Sequence, residues 1–248
     1  MTRQRRAAFD NQLAKALVAG LPDRYRYLML RWMYRKHAVA ETGGYDWRSK
    51  HHNRIELINR VIAHLGGSSC RYLEIGCQRN ACFDSVMADV KIGVDPIKGG
   101  THRMTSDEFF AQTEEMFDVI FIDGLHEFHQ SRRDAMNGLA HLRQGGFMLL
   151  HDLLPNSWAQ EHVPRLSRIW TGDVWKTALE LASTPGLTYR TVTMDHGVGI
   201  ARKDAHSITY ADRYSELSKA RFADYLRLRA NMNLCSFNEA LSLFTNHG

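Results

Sequence analysis

The sequence predicts an α/β protein built on a doubly wound, mainly parallel sheet, with helical additions at both ends. Three observations predict it. Short apolar runs alternate with stretches of helical periodicity between about residues 54 and 203. Several runs are apolar throughout, as in Val119-Ile120-Phe121-Ile122, which suits strands buried on both faces. The composition, 44% hydrophobic and 24% charged over 248 residues, is that of an ordinary globular chain. It excludes a disordered chain, a collagen-like repeat and a disulfide miniprotein.

The elements follow in order. Residues 3–20 read as a helix, with Phe9, Leu13, Leu17 and Leu21 on one face and Gly20 and Pro22 as its stop. A second helix follows, with Asp23 as its expected cap. Its residues Tyr25, Leu28, Met29, Trp32 and Met33 form a stripe expected to pack on the body or on a second subunit. The same helix also has the make-up of a membrane-surface helix. Gly43-Gly44 marks a loop, and Arg54 to Leu65 reads as a third helix ended by Gly66-Gly67. Strands are expected at 71–75, 91–94, 102–105, 118–122 and 147–150, with a clear helix over 127–142. Tyr189–Met194 and Val198–Ala201 read as a closing hairpin, and residues 209–244 as mostly helical.

These boundaries divide the chain into a basic helical extension (1–50), a central domain (51–204) and a C-terminal helical extension (205–248). The four cysteines, Cys70, Cys77, Cys82 and Cys235, contain no Cys-x-x-Cys pair, which argues against a structural zinc ribbon and fits a reducing cytoplasm. No run is long and apolar enough to span a membrane. Net charge is +5 overall, yet the first 60 residues hold thirteen Lys/Arg against five Asp/Glu. This asymmetry points to an anionic surface as a partner of residues 1–60, either a membrane or a nucleic acid.

In an open α/β sheet, ligands bind beyond the carboxyl ends of the strands. The first strand is followed by Glu74-Ile75-Gly76-Cys77-Gln78-Arg79-Asn80. A pyrophosphate would want three glycines here and no carboxylate. Glu74 instead suits a cationic, phosphate-free ligand, and S-adenosylmethionine is one. Asp95, after the second strand, is placed to accept ribose hydroxyls. Asp107, after the third, is placed to take an adenine amino group, with Ser106 as the expected cap of the next helix.

These runs, Tyr72-Leu73-Glu74-Ile75-Gly76-Cys77, Val94-Asp95-Pro96, Arg103 to Phe110 and Phe117 to His126, together with Leu142-Arg143-Gln144-Gly145-Gly146, resemble those of class I S-adenosylmethionine-dependent methyltransferases. The similarity is greatest to a bacterial subgroup with Asp-Gly-Leu-His after strand four and His-Asp after strand five, and it covers roughly residues 54–203. It implies a Rossmann-like, seven-stranded sheet of order 3-2-1-4-5-7-6. It implies S-adenosylmethionine as cofactor, held by Glu74, Gly76, Cys77, Asp95, Ser106, Asp107 and Asp123. Gln78 and Asn80 stand where the wider family has glycines.

The exits of the fourth and fifth predicted strands share one cleft, and bring Asp123, Gly124 and His126 to His151 and Asp152. Two chemistries fit. In one, Asp123, Asp152 and His126 hold Mg2+ or another divalent cation that acidifies an acceptor hydroxyl, an arrangement that resembles the catechol-type O-methyltransferases. Leu153 stands where those enzymes have an Asn ligand. In the other, His126 or His151 is a general base acting without a metal. Asp-Gly-Leu-His in place of an Asn/Asp-Pro-Pro-Tyr/Phe motif favours oxygen over a base amino group as the methyl acceptor. The expected acceptor is a small molecule or a sugar or glycan. Residues 156–176, with Trp158, Trp170 and Trp175, are the expected acceptor-side lid. The covered stripe of the second helix would make a homodimer. Two other readings stand beside the enzyme: a non-catalytic scaffold on the same fold, prompted by the altered glycine loop, and a membrane- or nucleic-acid-associated factor using the basic N-terminus.

Overall fold

The computed structural model describes residues 16–244. The expected helix over 3–20 falls mostly outside these residues, and only 16–18 are seen as helix. Seven strands form one sheet: β1 (Arg71–Ile75), β2 (Val90–Val94), β3 (Phe117–Ile122), β4 (Leu142–Leu150), β5 (Leu187–Val192), β6 (Val198–Lys203) and β7 (Leu234–Cys235). Their order is β2-β1-β3-β4-β6-β5-β7. Strands β1 to β4 run parallel, and β6 enters antiparallel between β4 and β5.

The strand count matches expectation, but its membership does not. The segment expected as a third strand, 102–105, is reduced to a single parallel bridge between Val94 and His102. Glycines at 99 and 100 turn the chain tightly against Gly93, and the following Thr105 already caps a helix. The missing edge is made up at the opposite end, where Leu234–Cys235 pairs parallel with β5.

Alternate residues of the central strands fill two cores. Leu73, Ile75, Ile120, Ile122, Met148 and Leu150 face one layer. That layer contains α3 (Ser106–Gln112), α4 (Phe128–His141) and α6 (Trp175–Ala182). Tyr72, Val119, Phe121, Phe147 and Leu149 face the other, which is covered by α2 (Arg54–Leu65) and α9 (Phe237–Leu241). Such double burial is why these strands read as unbroken apolar runs. Residues beyond 205 join both cores, through Leu217, Phe222 and Tyr225 on one side and Phe237, Ala240 and Leu243 on the other.

The helix α1 (Asp23–Met33) corrects one expectation. Its N-cap is Pro22 without a side-chain bond, and Asp23 lies inside the first turn, where it pairs with Arg26. Of its expected stripe, Met33 packs on the body. Leu30 is the buried residue of this helix, in a small cluster with Val18, Ala159 and Leu166, and Tyr25, Leu28, Met29 and Trp32 face outward.

Candidate active site

All of the expected site residues lie at the carboxyl edge of the sheet. There Gly76 follows β1, Asp95 follows β2, Asp123 follows β3 and His151-Asp152 follow β4. The β5–β6 turn adds Asp195 and His196 at the same edge, because β5 runs in the direction of β4. No regularity of the sequence marks these two; only the hairpin brings them in.

The crossing of β1 and β3 sets the centre. The Gly76 amide donates to the Val94 carbonyl and the Asp123 amide to the Ile75 carbonyl, at 2.9 and 2.8 Å. Gly76 has φ 90°, and a Cβ there would lie 2.2 Å from the Asp123 carbonyl oxygen. Only glycine lets the two strand exits touch. The next turn keeps a glycine-like path without glycine, since Gln78 and Asn80 adopt φ of 47° and 62°. The Asn80 side chain accepts from the Gly100 amide at 2.7 Å, which anchors the loop. The altered residues therefore retain the loop conformation at a cost of about 1 kcal/mol or more each.

Two cavities meet at this turn. One, about 380 Å³, is bordered by Ile75, Gly76, Asp95, Ser106, Asp107 and Asp123. Asp95 accepts from the amides of Gln78, Ile97 and Lys98 at 2.8–2.9 Å. Burial opposes its charge, but these amides outweigh burial and lower its pKa. One lone-pair direction on Oδ2 is left for a ligand hydroxyl. Asp107 accepts from Gln130 and pairs with Arg133 at the rim. Ser106 is not the helix cap. Thr105 is, in a reciprocal box with Glu108, and the Ser106 hydroxyl donates instead to buried Asp134 at 2.6 Å. Burial raises the Asp134 pKa despite its bonds from Ser106 and Gln130. Gln130 and Asp134 were missed from sequence because they lie inside the helix α4, where polar residues carry no signal of facing a pocket.

The second cavity, about 310 Å³, shares Gly76, Gln78 and Asp123 with the first. Glu74, Cys77 and Arg54 border it with His126, His151 and Asp152. Glu74 accepts from the Tyr72 hydroxyl at 2.6 Å, and burial raises its pKa. Burial likewise pushes the Cys77 thiol up, so it stays a neutral wall of the cavity.

The chemistry end forms a compact quartet. Asp123 Oδ1 lies 3.3 Å from His126 Nε2 and 3.4 Å from His151 Nδ1. Asp152 Oδ2 lies 3.3 Å from His126 Nδ1 and 3.5 Å from His151 Nδ1. Asp152 itself sits at φ 62°, a strained conformation held at the strand exit. His126 Nδ1 donates to the Trp170 carbonyl at 2.8 Å, and its ring stacks on Trp170. His151 Nε2 lies 2.7 Å from the Asp195 carbonyl, which can only accept. That bond assigns the Nε2 proton and leaves Nδ1 facing two carboxylates, buried and without a hydrogen-bond partner. Arg54 closes the far side, donating from its backbone amide and its guanidinium to Asp195 Oδ2 at 3.1 and 2.9 Å, with Nε 3.8 Å from Asp123.

The charges follow from this packing. Burial opposes protonation of both imidazoles, but Asp123 and Asp152 outweigh it, so His126 is raised and His151 well raised. Burial would raise Asp123, yet His151 and then His126 hold it well below the usual carboxylate range. Donor atoms of Asp123, His126 and Asp152 all lie within 4.8 Å of one another, close enough to converge on one cation. Two carboxylates and an imidazole are a fitting donor set for a divalent ion, and the bare His151 Nδ1 marks an excess of lone pairs where a cation or proton belongs. Leu153 is fully buried, with its side chain near Gly199, so the position of the absent Asn supplies no ligand.

Of the three lid tryptophans, only Trp170 borders the site. Trp175 is fully buried and packs against Tyr225, and Trp158 packs edge-on to His162. Packing within the protein takes both of these side chains.

Residues 63–153, from the end of α2 to Leu153, match the family model of a methyltransferase domain. The span includes every expected site residue. The class that this fold and this match describe is the α/β methyltransferase domain with a Rossmann-like sheet. Among solved structures, the chain is similar to an O-methyltransferase from Bacillus cereus in complex with SAH, at 11% identity and TM-score 0.44, over 77% of this chain and 96% of that one. It is also similar to an SAH-bound methyltransferase from Podospora anserina, at 15% identity and TM-score 0.45, over 83% and 98%. A methyltransferase of the mycinamycin biosynthetic pathway in complex with Mg and SAH is similar at 16% identity and TM-score 0.37, over 56% and 45%. No curated protein sequence matches the chain.

Proposed function

We propose that the chain transfers the methyl group of S-adenosylmethionine to a hydroxyl oxygen of a small-molecule acceptor, with a divalent cation held by Asp123, His126 and Asp152. The observation that carries this is the convergence of those three side chains in the second cavity, which meets the first at Asp123, the first holding an aspartate suited to a ribose. The adenosine occupies the larger cavity, with its ribose on Asp95 and its adenine toward Asp107. The sulfonium then lies near Gly76 and Asp123, and Glu74 supplies negative potential on that side.

A cation at the quartet would lower the pKa of an acceptor hydroxyl and orient it. The remaining work is done by the chain. Asp195 fixes the His151 ring through its Nε2 proton, Trp170 fixes His126, and Arg54 balances the carboxylates. The transfer needs oxygen, methyl carbon and sulfur in line, which binding in two adjoining cavities supplies. In the metal-free alternative His126 or His151 would take the hydroxyl proton directly, and Asp123 and Asp152 beside both rings would stabilise the imidazolium so formed.

Calorimetric titration of the cofactor-stripped protein with S-adenosylhomocysteine tests the cofactor half. Micromolar binding is expected, and no binding by a cooperatively folded sample would refute it. Titration with Mn2+ or Mg2+ tests the metal half, with Asp123→Asn and Asp152→Asn expected to abolish ion binding while SAH binding persists in Asp152→Asn.

A further inference from the structure

We infer that α1 and the turn before it form a docking face for an anionic lipid bilayer. Leu21, Tyr25, Leu28, Met29 and Trp32 project from one side, and Trp32 and Leu28 are 65% and 58% exposed. At 100° per residue the four on the helix, Tyr25, Leu28, Met29 and Trp32, fall within an arc of about 100°. Leu30, which anchors the helix to Leu166, points about 150° away from the centre of that arc. The apolar stripe is therefore a second face, aimed away from the protein's own core.

Charge selects the occupant. Arg24, Arg31 and Arg35 line one flank of the stripe, and all three are exposed. The neighbouring loop, joined to the helix by the bond from Arg31 Nε to the Leu166 carbonyl, adds exposed Arg165, Arg168 and Ile169. The only acid of the helix, Asp23, is taken by Arg26. A second copy paired antiparallel through this stripe would set the arginine row against itself, with no carboxylate of the helix to relieve it. An anionic lipid surface answers both features, since leucine, tyrosine and tryptophan enter the headgroup boundary and arginines meet lipid phosphates. The helix is 11 residues long, which suits lying in the interface and is far too short to cross it.

The test is sedimentation of the full chain with vesicles of phosphatidylcholine containing 30 mole per cent phosphatidylserine, beside pure phosphatidylcholine vesicles. Binding to the anionic vesicles is expected, weakening with salt, and pure phosphatidylcholine should bind at least tenfold less. Leu28→Glu with Trp32→Ala should abolish binding, and Arg24→Glu should cost about fivefold or more. All three positions are exposed, so the variants' thermal melting should match that of the parent, which keeps loss of binding distinct from loss of fold. The inference is overturned by no binding to anionic vesicles. It is overturned equally by binding that neither variant changes, by a concentration-dependent dimer that Leu28→Glu dissolves in the absence of vesicle binding, or by selective retention of RNA over vesicles.

Discussion

Asp95 accepts from three backbone amides, so it organises its own loop before any ligand arrives. Removing it by Asp95→Ala is expected to abolish SAH binding in calorimetry and also to destabilise the fold by about 2 kcal/mol, since three backbone amides lose a charged acceptor. Glu161, behind the site, gives a prediction in pH. It is almost fully buried beside Lys176 and Trp175, and burial pushes its pKa up to about 7 from 4.5. The unfolded chain thus releases this proton at lower pH than the folded one. Glu161 costs the fold nothing below about pH 4.5, and its destabilisation grows as pH rises to about 7 and is constant above. Glu161→Gln should therefore gain on the parent by about 3 kcal/mol between pH 4.5 and pH 8, read from denaturant unfolding at each pH.

At the scale of elements, the contact of two strand exits governs the site. Gly76→Ala would drive a methyl group into the Asp123 carbonyl, and should cost several kcal/mol or prevent folding, with SAH binding lost in whatever folds. Gln78→Gly is expected to do the reverse, raising the melting temperature by a few degrees while the loop keeps its path. The central strands were legible because burial on both faces leaves an unbroken apolar word such as Val-Ile-Phe-Ile, and the acids that follow such words fall at the ligand edge by the geometry of any parallel sheet. The short edges were not legible. Residues 102–105 have the composition of a strand, but the preceding glycines and the cap at Thr105 leave no length for one. Leu234–Cys235 is too short to leave a pattern and becomes a strand only because β5 offers it a free edge. Asp195 and Arg54 escaped notice for a related reason. They are ordinary turn and helix-start residues until the hairpin and α2 meet over the quartet. The tryptophans at 158 and 175 are taken by packing, and Trp170 alone of the three stacks on a site residue.

At the scale of the molecule, the sheet divides labour between its two sides and its one edge. Both faces are apolar and closed by helices, and the two carboxylates and two imidazoles of the quartet gather at the carboxyl edge. No helix among the described residues is long and apolar enough to cross a membrane. The loop bearing Trp170 ties this edge to the outer helix, because the Leu166 carbonyl holds Arg31 while the Trp170 carbonyl holds His126. Gly172 completes the tie: it packs so closely that a Cβ would fall 1.7 Å from the His126 carbonyl oxygen. Gly172→Ala should accordingly lower ion affinity at the quartet by displacing His126, measurable by Mn2+ titration, with SAH affinity little changed.

Among the described residues six that are not glycine take positive φ; five of them, Gln78, Asn80, Asp152, Asp195 and His196, lie at the carboxyl edge, and the sixth, Asn233, precedes β7. For a chain under selection this has a plain meaning. The substitutions that would most readily toughen the protein are glycines at those positions, and at Asp152, Asp195 and Asn80 they would delete the side chains that hold the site together. Heat resistance and chemistry therefore compete for the same few codons, and descendants of this sequence that adapt to higher temperature should acquire their changes elsewhere, in the helical layers.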